Sequence, residues 1–409
     1  MGGKGIGDRF SSASLLKRRR MMAECFSRRT VLFLLAFAAE NLVALEHTIS
    51  ADAPPRNAAL QYMMAFELMP DVVGMRLDLY TTDNKKVGFG VPVSQAFAEK
   101  FFQGQTEQSL KHLYRGAALS ECQWPSDLRR DGWNAFEMRG YGNRAQLYAR
   151  VPLLRARCQF ERGDWEKGID DVIATMVMSR HITRDRLFVT AHWACMIEGM
   201  CCFTAAAYLP RMPPEARVLL VKRLDSLPSY TSMREAMLHY ERIVDWFIDN
   251  ARQAEREGRL SQFLARFPSY REAQPGALTA LHAESLVKLA EEARPLLREC
   301  ADLMRLAPEE CDRVYKQRFE SRLSRNAVTA MVAPLYPGER REEGSRQCRL
   351  ALLKAAIDVV ARGKAALADH PDPFGRGPFE YTPLDGGFLL RSELTNPVRI
   401  DLRIGRPKT

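Results

Sequence analysis

The sequence predicts a mainly α-helical chain that closes with a small antiparallel β meander. Apolar residues recur at helical spacing, as in Trp165, Ile169, Val172, Ile173 and Met176, which fall on one stripe. Helix punctuation recurs with them: Gly163 can end a helix in the left-handed conformation, and Ser232 with Glu235 reads as a capping box. Only in the tail, from Val398 to Ile404, do apolar and charged residues alternate with period two.

At 409 residues, with 46% hydrophobic and 27% charged side chains, the chain can bury a sizeable core and is not a disordered polymer. The net charge of +10 is unevenly placed. Lys4, Arg9, Lys17 to Arg20, Arg28 and Arg29 face only Asp8 and Glu24, so more than half of the excess lies in the first 30 residues. A near-balanced body gives no reason to expect a nucleic-acid partner.

The first 52 residues read as a leader. Ser27-Arg28-Arg29-Thr30 precedes the apolar run Val31 to Ala39, and Ala36-Phe37-Ala38 fits a small-residue cleavage site. That run is far shorter than the roughly 20 residues of a membrane-spanning helix. The expectation is therefore export to the periplasm or envelope behind a cleaved signal peptide. If the signal is not cleaved, Leu42 to Leu45 extends it into an inner-membrane anchor, and membrane contact runs through the leader alone. Ser27 to Leu32 also fits a twin-arginine signal, against ordinary n-region charge. Translation from Met21 or Met22 instead of Met1 would give a leader of ordinary length. Gly2 to Gly7 lacks the preceding strand and the Ser or Thr of a phosphate loop.

After the linker Ala53-Pro54-Pro55, a helical domain is expected over 53–335. Asn57 caps a helix to Met69 that Pro70 stops; Thr81 to Val93 is a loop. Helices Ser94–Phe102 and Glu107–Ala118 follow, then a turn at Ser120–Pro125. The centre is three helices, Leu147–Arg162, Trp165–Ile182 and Asp185–Leu209, with Asp164 placed to cap the second. Pro213-Pro214 opens a short helix ending at Leu227-Pro228. Ser232 opens a long one to about Glu257, its apolar face Met233, Met237, Tyr240, Val244 and Phe247. Ala277–Leu306 is helical with a kink or restart at Pro295, and Pro308 starts a helix to about Val332. Leu335–Ser345 reads as a polar loop and a domain boundary. A last helix over Arg346–Asp369 and a hairpin about Asp385-Gly386-Gly387 complete a C-terminal piece, 345–409.

The helix through Leu187 to Leu209 is apolar nearly all round. Its length would cross a bilayer, but Glu198 at its middle and amphipathic helices on both sides favour a buried core helix. None of the nine cysteines forms a C-x-x-C pair. Most are expected as buried free thiols, with Cys300–Cys311 the best disulfide pair if the body is exported.

Two resemblances extend this reading. The Ala156 to Val172 hairpin resembles a tetratricopeptide repeat: small Ala156 and Gly168 at the helix crossing, Gly163 at the turn, Trp165 in the aromatic position. Arg155 and Gln159 depart from its large apolar positions, and no regular array of such units follows. The implied architecture is an irregular tetratricopeptide-like helical array. From Asn57 to Pro228, the Asn57-Ala-Ala opening with Tyr62, Cys122-Gln-Trp124, Glu161-Arg-Gly-Asp-Trp165 and Leu224-Asp-Ser-Leu-Pro228 resemble an uncharacterised family of exported helical proteins of planctomycete-type bacteria. The tail, Pro371 to Tyr381 with Asp385 to Leu390, is similar to that family's C-terminal pieces and to the major pseudopilin of type II secretion. The long N-terminal apolar helix of pseudopilins is missing. These likenesses imply fold and export, not chemistry.

Glu198 is the sharpest chemical signal, because an unpaired carboxylate on an apolar helix is costly. It reads as a pocket acid beside His192 or His181, or as a structural carboxylate paired with an arginine such as Arg155. Asp170-Asp171 point about 100° apart and read as a solvated face. No metal or cofactor motif occurs among the seven scattered histidines. The expected function is a non-enzymatic scaffold of the cell envelope, holding a protein or peptide partner on a helical surface. The alternatives are an enzyme built on Glu198 with a histidine from another helix, and a pilin-like secretion accessory.

Overall fold

The computed structural model describes residues 56–70, 95–124, 139–265, 267, 282–326, 328–329 and 338–405. The leader, its export signal, Cys25 and the 81–93 loop lie outside the described residues. Asn57–Thr409 forms one compact unit.

Its helices are α1 (Ala58–Glu67), α2 (Gln95–Phe101), α3 (Gln105–Ala117), α4 (Arg139–Arg162), α5 (Trp165–Ile182), α6 (Phe188–Ala206), α7 (Pro214–Asp225) and α8 (Met233–Arg256). Then come α9 (Leu260–Leu264), α10 (Ala283–Leu303), α11 (Pro308–Arg318), α12 (Glu320–Arg325) and α13 (Glu339–Arg362). Strands β1 (Glu380–Leu384), β2 (Gly387–Thr395) and β3 (Arg399–Ile404) follow. The chain is thus mainly helical with one small C-terminal meander, as expected.

Local chemistry accounts for most boundaries. Asn57 accepts the Ala59 N–H at 3.1 Å and caps α1. Ser232 and Glu235 make both halves of the capping box that opens α8. Gly163, at φ 81°, turns α4 into α5. Asp164 occupies the cap position of α5, but its side chain makes no cap hydrogen bond, contrary to expectation. Pro152 lies inside α4 and Pro295 inside α10, where helix continues through each. Beyond Pro308 the expected single helix breaks at Phe319 into α11 and α12.

The polar loop expected at Leu335–Ser345 is the main correction. Helix α13 begins at Glu339 and runs without interruption to Arg362; a short 3₁₀ turn, Lys364–Asp369, follows Gly363. Its first turns are charged yet tucked in, with Glu339, Glu343, Ser345 and Arg346 buried. Arg340 donates to the Leu306 carbonyl at 3.0 Å, the Met233 N–H donates to Glu343 at 3.0 Å, and Arg341 pairs with Asp312. Helix α13 thus replaces the loop expected over 339–345, while 335–337 lie outside the described residues.

Helix α6 is the axis. By length and composition it could cross a membrane, yet 72% of its apolar window is buried inside the protein, against α4, α5 and α13. One core gathers α1, α3, α4, α5, the C-terminal part of α6, α7, α13 and the sheet. A second gathers Leu187 and, from α6, Phe188, Ala191 and Cys195 with α8, α10 and α11. The strands pair antiparallel in the order β1-β2-β3, with Tyr381 opposite Leu390 and Leu390 opposite Leu402. Alternate residues Leu390, Ser392 and Leu394 face α13, and the Gly405 N–H donates to the Ala206 carbonyl at 3.0 Å, fixing the sheet to α6.

Candidate functional site

Glu198, 1% exposed, lies between two guanidinium groups. Arg180 of α5 donates its Nε at 2.9 Å and Arg346 of α13 its Nη1 at 3.3 Å. Arg180 also donates to the Pro228 carbonyl at 2.7 Å, and Arg346 stacks 3.6 Å from the centre of the Tyr230 ring. The Tyr230 hydroxyl meets Cys195 Sγ at 3.4 Å; burial pushes that thiol up to about 12. Glu198 is therefore a charge-paired carboxylate where α5, α6 and α13 meet. Glu198 is paired with arginine, as one of the two sequence alternatives expected, but the partners are Arg180 and Arg346 rather than Arg155.

Neither histidine joins it. His192 Nδ1 faces Glu339 Oε2 at 3.6 Å, and the two atoms are buried without another hydrogen-bond partner. The Glu339 carboxylate, helped by Glu342, holds the His192 imidazole above its ordinary range against desolvation. His181 Nδ1 meets the Tyr62 hydroxyl at 2.8 Å; burial, then the nearby Arg184 charge, lowers it to about 4. His181 is thus a neutral ring at ordinary pH. Its carbonyl accepts the Trp124 indole N–H at 2.8 Å, so the Cys122-Gln-Trp124 segment is a clasp on α5.

Arg155, which departs from the tetratricopeptide pattern, holds Asp171 with two hydrogen bonds of 2.9 and 2.6 Å, and the Tyr114 hydroxyl donates to the same carboxylate at 2.6 Å. Asp171 is fully buried, correcting the expected solvated face; only Asp170 reaches the surface, beside Arg223 at 3.5 Å. The Pro371 to Tyr381 motif also has a structural role. Buried Asp372 accepts from the Ser392 hydroxyl at 2.8 Å and the Glu393 N–H at 2.7 Å.

The open feature of this face lies over α5, away from Glu198. A hollow of about 520 Å³ runs between the C-terminal ends of α3 and α7, floored by Ile173, Ala174, Val177 and Leu227. His181 and Tyr114 form part of its wall, and Arg184, Arg223, Asp170 and Ser120 its rim. A second hollow, about 460 Å³, lies between the N-terminal ends of α5 and α7, beside Trp165, Pro213 and Leu219. Sequence reasoning missed the hollow because its wall comes from three separate helices. The short α3 and α7 flanking the apolar stripe of α5 were its one available sign. Among the described residues, no cluster of His, Cys, Asp or Glu is placed to hold a metal ion. Cys300 and Cys311 are both free thiols, so the expected bridge is not formed.

No protein-family model, curated protein or solved structure matches the chain.

Proposed function

We propose that this protein is a non-enzymatic interaction protein of the cell envelope that holds a protein or peptide segment in the hollow over α5. The carrying observation is that hollow: about 520 Å³ with an apolar floor and a polar rim, within the range of about 300–1,000 Å³ in which ligand sites are found. The enzyme reading has less to stand on. Glu198 is occupied by two arginines, and His181, which does reach the hollow, is already bonded to Tyr62. The envelope address rests on the leader's signal-like pattern and on the likeness to exported helical proteins. The secretion-accessory reading draws on the tail alone.

Site-specific photocrosslinking tests the groove. A benzoylphenylalanine at Ala118, exposed beside the hollow, is expected to give a discrete adduct in intact cells. The same group at exposed Lys288, on α10, should give none. Equal labelling from both positions, or none from Ala118, sinks the proposal. Fractionation with intact-mass measurement tests the address, which fails if the protein stays in the cytosol with its N-terminus uncut.

A further inference from the structure

We infer that the segment received by the hollow over α5 is acidic: an apolar anchor flanked by carboxylates. This rests on the docking reading above and adds the partner's chemistry. The floor of Ile173, Ala174, Val177 and Leu227 offers carbon to an aliphatic or aromatic side chain. The rim decides the charge. Arg184 and Arg223 both line the hollow, and the carboxylate facing them from the lining is Asp170. Asp170 meets Arg223 at 3.5 Å, beyond a tight two-pronged contact. Arg184 donates one Nη to the Ser120 carbonyl, and no carboxylate among the described residues pairs with it.

Three helices present carbonyl ends here, which by themselves would draw cations. Donors already take one carbonyl of the last turn of α5 and one just beyond each of α3 and α7. Arg180 takes the Pro228 carbonyl, Arg184 the Ser120 carbonyl, and the Trp124 indole the His181 carbonyl. His181, on the wall, is neutral. What remains for a newcomer is guanidinium N–H edges beside an apolar trough, a surface that pairs with carboxylates and repels lysine.

Fluorescence anisotropy on the full chain provides the test. The probes are short fluorescein-labelled peptides with a Leu-Phe core flanked by aspartates, by serines or by lysines. The aspartate peptide should bind about tenfold tighter than the serine peptide, and the lysine peptide weakest. Added salt should shrink the gap. Combining Arg184→Ser with Arg223→Ser should bring the aspartate peptide to the serine level, with the circular-dichroism melt confirming an intact fold. Equal binding of all three, a lysine preference, or no binding overturns the acidic partner. If Ala118 still crosslinks a partner in cells, the docking groove survives that failure. If it does not, both readings fall together.

Discussion

Glu198, Arg180 and Arg346 set the residue scale, because charges this deep are stable only while all three are present. Removing one member leaves a buried charge unanswered, a loss of about 3–5 kcal/mol. Glu198→Ala should lower the unfolding free energy by that order in urea titration, and Glu198→Gln by less, since the amide still accepts. A loss under about 1 kcal/mol for the alanine variant would show that water reaches the network. The sequence disclosed the carboxylate on its apolar helix but not its partners. Arg346 is remote in sequence, at the start of a helix whose first turns read as loop. The two histidines pull stability in opposite directions with pH. His181 is held at about 4 when folded and rises to about 6.5 when unfolded. Its contribution is therefore complete above about 6.5 and is lost as pH falls toward 4, by up to about 1.4 kcal/mol per pH unit. His192 is raised by Glu339, so its contribution is present below about 6.5 and is lost as pH rises through the folded value. Urea midpoints measured from pH 4 to 8 should show a shallower acid loss for His181→Gln and a steeper one for His192→Gln. Parallel profiles for both variants and the parent would refute the assignment.

At the scale of elements, the α4–α5 hairpin shows what spacing can and cannot reveal. Gly163, the α5 stripe and the small residues at the crossing were all legible. The reason for Gly168 was not: a methyl group there would come within 2.4 Å of Cε1 on the edge of the Phe160 ring. Gly168→Ala is helix-favouring by intrinsic propensity, by up to about 1 kcal/mol, yet overpacking against a buried ring costs about 1–3 kcal/mol. The variant should be destabilised, and a calorimetric melting temperature above the parent's would contradict the crossing geometry. Ser232→Ala removes one half of the α8 capping box and should lower stability by about 0.5–2 kcal/mol in the same assay. Helix α13 marks where sequence reasoning ran out. Arg340, Arg341, Glu342 and Glu343 carry no apolar stripe, so pattern alone assigns them to solvent. Their helix forms because α8, the α10–α11 turn, α11 and the sheet supply partners for those charges.

For the whole molecule, the consequence is two apolar cores strung on one axis and joined through polar contacts. Helix α6 gives its N-terminal residues to one core and its C-terminal residues to the other, while Tyr230 touches both. Between them the α13 entry binds the second core through single hydrogen bonds and ion pairs: Glu343 to the Met233 N–H, Arg340 to the Leu306 carbonyl, Arg341 to Asp312. Apolar burial is non-directional and keeps each core closed, but such polar contacts are individually worth only about 0.5–3 kcal/mol and fix register. Glu343→Ala, which strips the acceptor from the first turn of α8, should therefore loosen one core selectively. Hydrogen–deuterium exchange should speed in α8, α10 and α11, while α1, α3, α4 and α5 keep the parent's protection. Uniform acceleration across both sets would mean that the cores unfold as one cooperative unit and that α13 is no seam. Unchanged exchange everywhere would mean that the Glu343 contact does not restrain α8. The selective outcome alone fits a body in which the half carrying the hollow over α5 stays rigid while the other half breathes.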